Sequence, residues 1–173
     1  MAEVSAHYLI SGQGDVTQMV PEHLRAWHAG AGEWDGQDDI NSRSIGIELD
    51  NRGNHPFSEP QMVALEALLH GIHSRWAITY TIGHSDMAPG RKFDPGPHFD
   101  WARLERLGLA VRISENVPQI LDEKAFRYAA QKGGFTAPAS LEALLHTTRL
   151  RCAPWRKGPL QPEDFALPVP PKL

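Results

Sequence analysis

The sequence predicts an α/β (α+β) fold, in which helices flank a central mixed β-sheet and a small helical module follows at the C-terminus. Two observations lead to this prediction: short β-rich runs alternate with helical patterns in the first part of the chain, and only helical patterns follow. The 173 residues are enough for one domain of ordinary size and a small appendage. We therefore expect one domain over residues 1–110 and a helical appendage over residues 111–173.

The first third of the chain contains three runs with strand character. "VSAHYLI" (4–10) and "VTQMV" (16–20) flank the turn-forming "SGQGD", which predicts a hairpin. Residues 21–44 are rich in Gly, Asp, Asn and Ser. They predict a long surface loop with one helical turn after Pro21, and loops of this length usually serve a function. The alternating "IGIELD" (45–50) predicts a buried strand.

The clearest helix is predicted over residues 58–76. Ser58 is a suitable N-cap and Pro60 falls in the first turn, where a missing backbone N–H costs nothing. The apolar residues of this segment recur at helical spacing and predict one buried face. They are Met62, Leu65, Leu68, Leu69, Ile72 and Trp76.

The remaining elements alternate between strand and helix until the appendage begins. Residues 78–84 predict a short strand, and residues 99–109 predict a helix with Asp100 as its cap. Two further helical patterns, over residues 118–135 and 140–154, make up the appendage.

Composition excludes several classes of protein. The formal charge of −4 provides no basic field, so a nucleic-acid partner is not expected. Cys152 is the single cysteine, so no internal disulfide can form. No apolar run approaches the roughly 18 residues that span a bilayer, and the first ten residues show no signal peptide.

Ionisable groups gather where predicted strands end in loops. Glu48 closes one strand and His84 the next, and the sharp turn of "GRKFDPGP" returns Lys92 and Asp94 towards them. A histidine and carboxylates around one point are typical of a zinc hydrolase, in which the metal activates water, a carboxylate takes its proton and a lysine holds the oxyanion. The alternative is ordinary: a strand-end charge at Glu48, a solvated Lys92, and an Asp94 that starts a turn before proline.

Four runs carry a resemblance to a known family: "VSAHYLI", "VPEHLRAWHAG", "INSRSIGIELDN" and "IGHSDMAPGRKFDPGPHFDW". In this order they resemble the zinc-dependent N-acetylmuramoyl-L-alanine amidases of the type 2 class, which are related to peptidoglycan-recognition proteins. The resemblance implies that His84 and Asp94 bind Zn²⁺, that Glu48 is the catalytic carboxylate, and that Lys92 polarises the carbonyl. It also implies hydrolysis of the amide between the lactyl group of N-acetylmuramic acid and L-alanine, in peptidoglycan or muropeptides.

The resemblance extends to the substrate groove and the appendage. It implies that Trp27, His28, Asn41 and Arg43 line the groove for muropeptide. The appendage is similar to a three-helix peptidoglycan-binding module, and a helical brace on the catalytic domain is the alternative. Such a module favours the periplasm or cell envelope, whereas the lack of a recognisable signal favours the cytoplasm.

One departure from the family pattern bears on activity. The resemblance implies an earlier strand whose histidine is the third zinc ligand, and this chain contains no such run before "SAHYLI". We therefore expect either an N-terminus that is incomplete or a variant that manages without this strand, and a metal site that is weak with two ligands. Three hypotheses follow: an amidase, a module that binds muropeptide or peptidoglycan without cleaving it, and an enzyme fragment that is poorly folded or held together by oligomerisation.

Overall fold

The computed structural model describes residues 5–114 and 122–169, and they form an α+β fold. Three short strands form a mixed sheet in the order β2-β1-β3, and five helices surround it. The strands are β1 (Tyr8–Ile10), β2 (Val16–Gln18) and β3 (Ile47–Leu49), and the helices are α1 (Glu59–Arg75), α2 (His84–Met87), α3 (Trp101–Arg106), α4 (Glu123–Lys132) and α5 (Leu141–Cys152). Within these residues, no helix has the length and apolar character needed to cross a membrane. The predicted fold class is confirmed.

The sheet places a candidate catalytic residue on its third strand. β1 pairs antiparallel with β2, so the predicted hairpin is confirmed. β1 also pairs in parallel with β3, which puts Leu9 opposite Glu48. β3 is half-buried rather than buried as predicted, because its far side borders a cleft.

Helix α1 forms as its sequence pattern predicts. The Ser58 hydroxyl accepts a hydrogen bond from the backbone N–H of Gln61 at 3.3 Å, and Pro60 lies in the first turn. The apolar face of α1 packs under the sheet. Its buried residues there are Met62, Leu65, Leu69 and Ile72. Trp76 was expected on this face but lies beyond the helix end, where its ring N–H donates to Glu22 at 2.7 Å.

The strand predicted over residues 78–84 is wrong. Among the described residues, the sheet has only the three strands above, so the backbone between Ile78 and Gly83 has no ladder partner. A strand requires a neighbour with which to exchange backbone hydrogen bonds. This segment instead borders the cleft that also borders β3, and His84 begins helix α2.

The long loop over residues 21–44 is more than a surface loop. A single hydrogen bond from the N–H of Leu24 to the carbonyl of Pro21, at 3.0 Å, makes a turn there in place of the predicted helical turn. The loop's helical turn is a 3₁₀ turn at Ile40–Ser42. The loop also contributes buried side chains to the core, and these are Ala26, Ala29, Trp34 and Ile40.

The C-terminal helices share a hydrophobic core with the first part of the chain. Trp34 of the long loop meets Phe135 edge to face, with ring centroids 4.9 Å apart. The same core contains Met87 and Ala88 from the region of α2 and Leu144 from α5. Residues 122–169 are therefore packed against the loop and α2, and this contact positions the site described next.

Candidate active site

His84 stands at the start of α2, at a point where two stretches of backbone approach closely. A Cβ placed on Gly83 would lie 2.5 Å from the ring of Pro95, so no side chain fits there. The N–H of Ser85 donates to the carbonyl of Asp94 at 2.9 Å. These contacts bring the residues around His84 and Asp94 together, as the sequence predicted.

The His84 and Asp94 side chains meet directly. His84 Nδ1 contacts Asp94 Oδ2, with the histidine largely buried and the aspartate half exposed. Partial burial of the Asp94 carboxyl opposes its ionisation, but the hydrogen bond to His84 outweighs this and lowers its pKa. The pair therefore presents one imidazole nitrogen and one carboxylate oxygen at a single point.

Glu48 and Lys92 line the same cleft as this pair, and the cleft has a volume of about 1030 Å³. Glu48 reaches the cleft from β3. Lys92 is held by its backbone N–H, which donates to the carbonyl of Ala88 at 3.0 Å. A candidate base and a candidate cation thus border the same space as the histidine and the aspartate.

The donor chemistry fits zinc with two ligands. Imidazole nitrogen and carboxylate oxygen are both zinc donors, and His84 Nδ1 and Asp94 Oδ2 already face one another. Across residues 5–114 and 122–169, no group of three or more His, Cys, Asp or Glu side chains is arranged to hold a metal ion. At this point the described residues could therefore offer a metal ion two side-chain donors, His84 and Asp94.

His28 lies beside the His84–Asp94 pair and also borders the cleft. Its ring stacks on that of His84 with centroids 6.3 Å apart and an angle of 28° between the planes. Gly46 makes room for this ring, because a Cβ there would lie 2.3 Å from His28 Cγ. Burial, assisted by His84 and His7, lowers the pKa of His28 to about 4, so the ring is neutral at physiological pH.

The other residues predicted to line the groove are distributed unevenly. Arg43 borders the cleft and donates to Gln37 at 2.8 Å. Asn41 is buried, and its side-chain oxygen accepts from the backbone N–H groups of His28 and Ala29 at 3.0 and 2.9 Å. Asn41 therefore orients His28 rather than bordering the cleft itself. Trp27 is 53% exposed beneath the guanidinium of Arg25 and is absent from the cleft lining.

The sequence analysis missed two residues of α5 that contact the loop of His84. Arg151 pairs with buried Asp86, and the Thr147 hydroxyl donates to the carbonyl of Ser85 at 2.5 Å. These partners are more than 60 residues apart in the chain. No local pattern carries such a signal, because an arginine and a threonine on a helix are ordinary surface residues in any window of sequence.

The profile of the Amidase_2 family, N-acetylmuramoyl-L-alanine amidase, matches residues 1–97, and the chain belongs to this family. It is 43% identical over 106 residues to the 1,6-anhydro-N-acetylmuramyl-L-alanine amidase AmpD of Citrobacter freundii. The matched segment covers 60% of this chain and 57% of that protein. The chain thus spans a little over half the length of this curated relative.

Two solved structures resemble nearly the whole chain. One is the amidase AmiD of Escherichia coli with the substrate anhydro-N-acetylmuramic acid-L-Ala-D-gamma-Glu-L-Lys, with a TM-score of 0.83, 27% identity, and coverage of 94% of this chain and 76% of that one. The other is AmpDH3 of Pseudomonas aeruginosa with anhydromuramic pentapeptide, with a TM-score of 0.84, 27% identity, and coverage of 95% and 80%. The likeness therefore includes the C-terminal helices.

Proposed function

We propose that this chain hydrolyses the amide bond between the lactyl group of N-acetylmuramic acid and L-alanine, in peptidoglycan or muropeptides, with zinc at His84 and Asp94. The observation that carries the proposal is that His84, Asp94, Glu48 and Lys92 border one cleft. It is supported by family membership and by the two structural neighbours whose bound compounds contain anhydromuramic acid joined to a peptide.

The chain's residues account for the proton transfers that amide hydrolysis requires. Zinc, when bound, lowers the pKa of a coordinated water to about 7 and polarises a carbonyl. Glu48 accepts a proton as water oxygen attacks the carbonyl carbon, and it returns that proton to the amine nitrogen as the C–N bond breaks. The Lys92 ammonium donates a hydrogen bond to the oxyanion that forms on the carbonyl oxygen. The products are a lactyl carboxylate and a peptide with a free N-terminal amine.

The cleft also suits the substrate's polar character. Arg43 provides a guanidinium at its border, and guanidinium groups bind carboxylates such as those of a stem peptide. His28 provides a neutral imidazole whose Nε2 lies 3.3 Å from the Ser44 hydroxyl. Since that hydroxyl donates to the carbonyl of Ile40 at 2.5 Å, it accepts from His28, which leaves His28 Nδ1 as an acceptor.

The test is release of peptide from a purified anhydro-muropeptide, followed by chromatography, with added zinc and with a chelator. Glu48→Gln should lower kcat by about 10²- to 10⁴-fold while its zinc content stays at the wild-type level. Asp50→Asn is the matched control, because Asp50 is exposed two residues along the same strand end and does not border the cleft. Unchanged turnover in Glu48→Gln would remove the assigned mechanism.

A second candidate function is recognition of muropeptide without cleavage. The observation that favours it is the two-ligand site, because zinc hydrolases generally use three protein ligands. Calorimetry with the same muropeptide separates the candidates: binding without release of peptide, at saturating zinc, indicates a recognition module. Stoichiometric zinc together with turnover indicates the amidase.

A further inference from the structure

We propose that Arg151 and Thr147 of helix α5 are positioning residues that hold the backbone around His84 in its metal-binding geometry. The inference rests on the proposed function, since it concerns the same metal site. It assigns the C-terminal helices to the support of the active site rather than to a separate peptidoglycan-binding role.

The first part of this contact is a buried ion pair. Arg151 Nη1 donates to Asp86 Oδ2 at 2.7 Å, and the two residues are 5% and 0% exposed. The same Asp86 oxygen accepts from the N–H of Gly83 at 2.9 Å, which fixes the residue before His84. Asp86 therefore braces its own loop and also binds a distant helix.

Arg151 is itself held from two further directions. Its Nη2 donates to the carbonyl of Thr81 at 3.2 Å, and its guanidinium lies 3.9 Å from the ring centre of Trp101. The planar guanidinium thus joins the segment before His84, the α2 loop and α3. Lysine offers neither the fork of donors nor the stacking face, so it is a poor substitute here.

The second part fixes the residue after His84. Thr147 Oγ1 donates to the carbonyl of Ser85 at 2.5 Å, and Thr147 is 1% exposed. The N–H of Ser85 meanwhile donates to the carbonyl of Asp94, the other candidate ligand. The backbone on both sides of His84 is therefore tied to α5, and one of these ties continues to Asp94.

Helix α5 also contains a matched control. Arg149 forms a buried pair with Asp164, at 2.8 and 2.7 Å, two residues from Arg151 on the same helix. It additionally donates to the carbonyls of Gly158 and Pro159. Arg149 is as deeply involved in the structure as Arg151, but its partners lie in the C-terminal segment rather than beside His84.

The experiment measures zinc affinity by competition with a chromophoric chelator, on the full chain. Arg151→Gln should weaken zinc binding by about 10-fold or more, the range found when groups that orient metal ligands are removed. Thr147→Val should weaken it less, and this mild variant keeps the test available if Arg151→Gln does not fold. Arg149→Gln should lower the melting temperature and leave the zinc affinity at the wild-type value.

Two results would overturn the inference. One is wild-type zinc affinity in both Arg151→Gln and Thr147→Val. The other is an equal loss of affinity in Arg149→Gln, which would indicate a general effect of destabilising α5. A wild-type chain that binds no zinc counts against the proposed function instead. A crystal structure of Thr147→Val then decides the positioning role: a displaced His84 supports it and an unmoved His84 refutes it.

Discussion

The cleft around His84 has two walls that are built differently. The closed wall is formed by α2 and supported from behind by α5: Arg151 and Thr147 of α5 donate to Asp86 Oδ2 and the Ser85 carbonyl, and the N–H of Gly83 donates to Asp86 Oδ2, while Asp86 Oδ1 has no partner among the described residues. The open wall is formed by β3, the last turn of α1 and the segment after Trp76, and it faces the cleft.

The open wall contains polar atoms without partners. His73 Nε2 and Thr81 Oγ1 are buried, border the cleft, and have no hydrogen-bond partner among the residues described. A buried polar atom without a partner costs free energy, and the closed wall also contains one, Asp86 Oδ1, beside its ion pair and side-chain hydrogen bonds. The walls differ instead in the hydrogen bonds that α5 makes around His84, whereas Glu48 is held by the pairing of β3 with β1.

The largest effect should come from breaking the closed wall's ion pair. Asp86→Ala leaves Arg151 buried without its counter-charge, and we expect a loss of about 3–5 kcal/mol in the free energy of unfolding. Urea denaturation followed by circular dichroism measures it. The double variant Asp86→Ala/Arg151→Met removes both charges and should recover part of this loss, because a buried pair replaced by apolar groups is often neutral. A double variant less stable than Asp86→Ala alone would contradict this account.

A smaller loss should follow from crowding His28 against the open wall. Gly46→Ala places a Cβ 2.3 Å from His28 Cγ, so the ring must leave its stack on His84. We expect a cost of about 2 kcal/mol, within the range for overpacking. Gly12→Ala is the control, because the nearest atom to its added Cβ is 4.0 Å away. Thermal melts of both variants measure the difference, and equal melting temperatures would refute the assigned crowding.

Two threonine substitutions compare the walls directly. Thr147→Val on the closed wall leaves the Ser85 carbonyl without its donor and should cost about 1–2 kcal/mol. Thr81→Val on the open wall removes a buried hydroxyl that has no partner among the described residues, and it should be neutral or stabilise by about 0.5 kcal/mol. Chemical denaturation of the two variants tests the comparison. A Thr81→Val variant that loses as much as Thr147→Val would mean that the walls do not differ in this way.

The ion pair between Glu22 and Arg75 lies outside both walls and should make the stability of the protein depend on pH in the acid range. Hydrogen bonds from Arg75, opposed by burial and helped by Trp76 and Tyr8, lower the pKa of Glu22 to about 2. Because the folded-state pKa is below the ordinary value, the stabilisation is present above about pH 4.5 and is lost as the pH falls towards 2.

The effect of this contact should be the smallest of the set. Between pH 4.5 and 2, wild type should lose about 1 kcal/mol more stability than Glu22→Gln, since Arg75 is half exposed and screened. Denaturation curves at four or five pH values measure the slope. Parallel slopes for the two proteins would contradict the assigned pKa, and a steeper slope in Glu22→Gln would reverse its sign.

Much of the fold could be predicted from local patterns. The hairpin follows from two β-rich runs around a glycine-containing turn, and α1 follows from its cap, its proline and its apolar period. These elements depend on interactions between residues close in the chain, which a window of sequence contains. The same holds for His84 and Asp94, because the nine residues between them form a turn that brings the two side chains together.

Prediction from the sequence failed where a residue distant in the chain decides the local structure. Residues 78–83 have the composition of a strand but no neighbour to pair with, and composition cannot supply one. Asn41 stays a predicted groove residue, and its side-chain oxygen accepts hydrogen bonds from the backbone of His28 and Ala29. A polar side chain in a loop suits either role, and only the packing of that loop selects between them.

By itself, the sequence determined the hairpin, the main helix, the family and the two residues that meet at the candidate metal site, because each depends on a short stretch or an ordered motif. Only the tertiary structure decided that α5 supports His84 through Arg151 and Thr147, that His28 stacks on it over Gly46, and that one wall of the cleft stays open. The physical reason is that hydrogen bonds and packing join residues more than 60 positions apart, and their energy depends on distance in space rather than on separation along the chain.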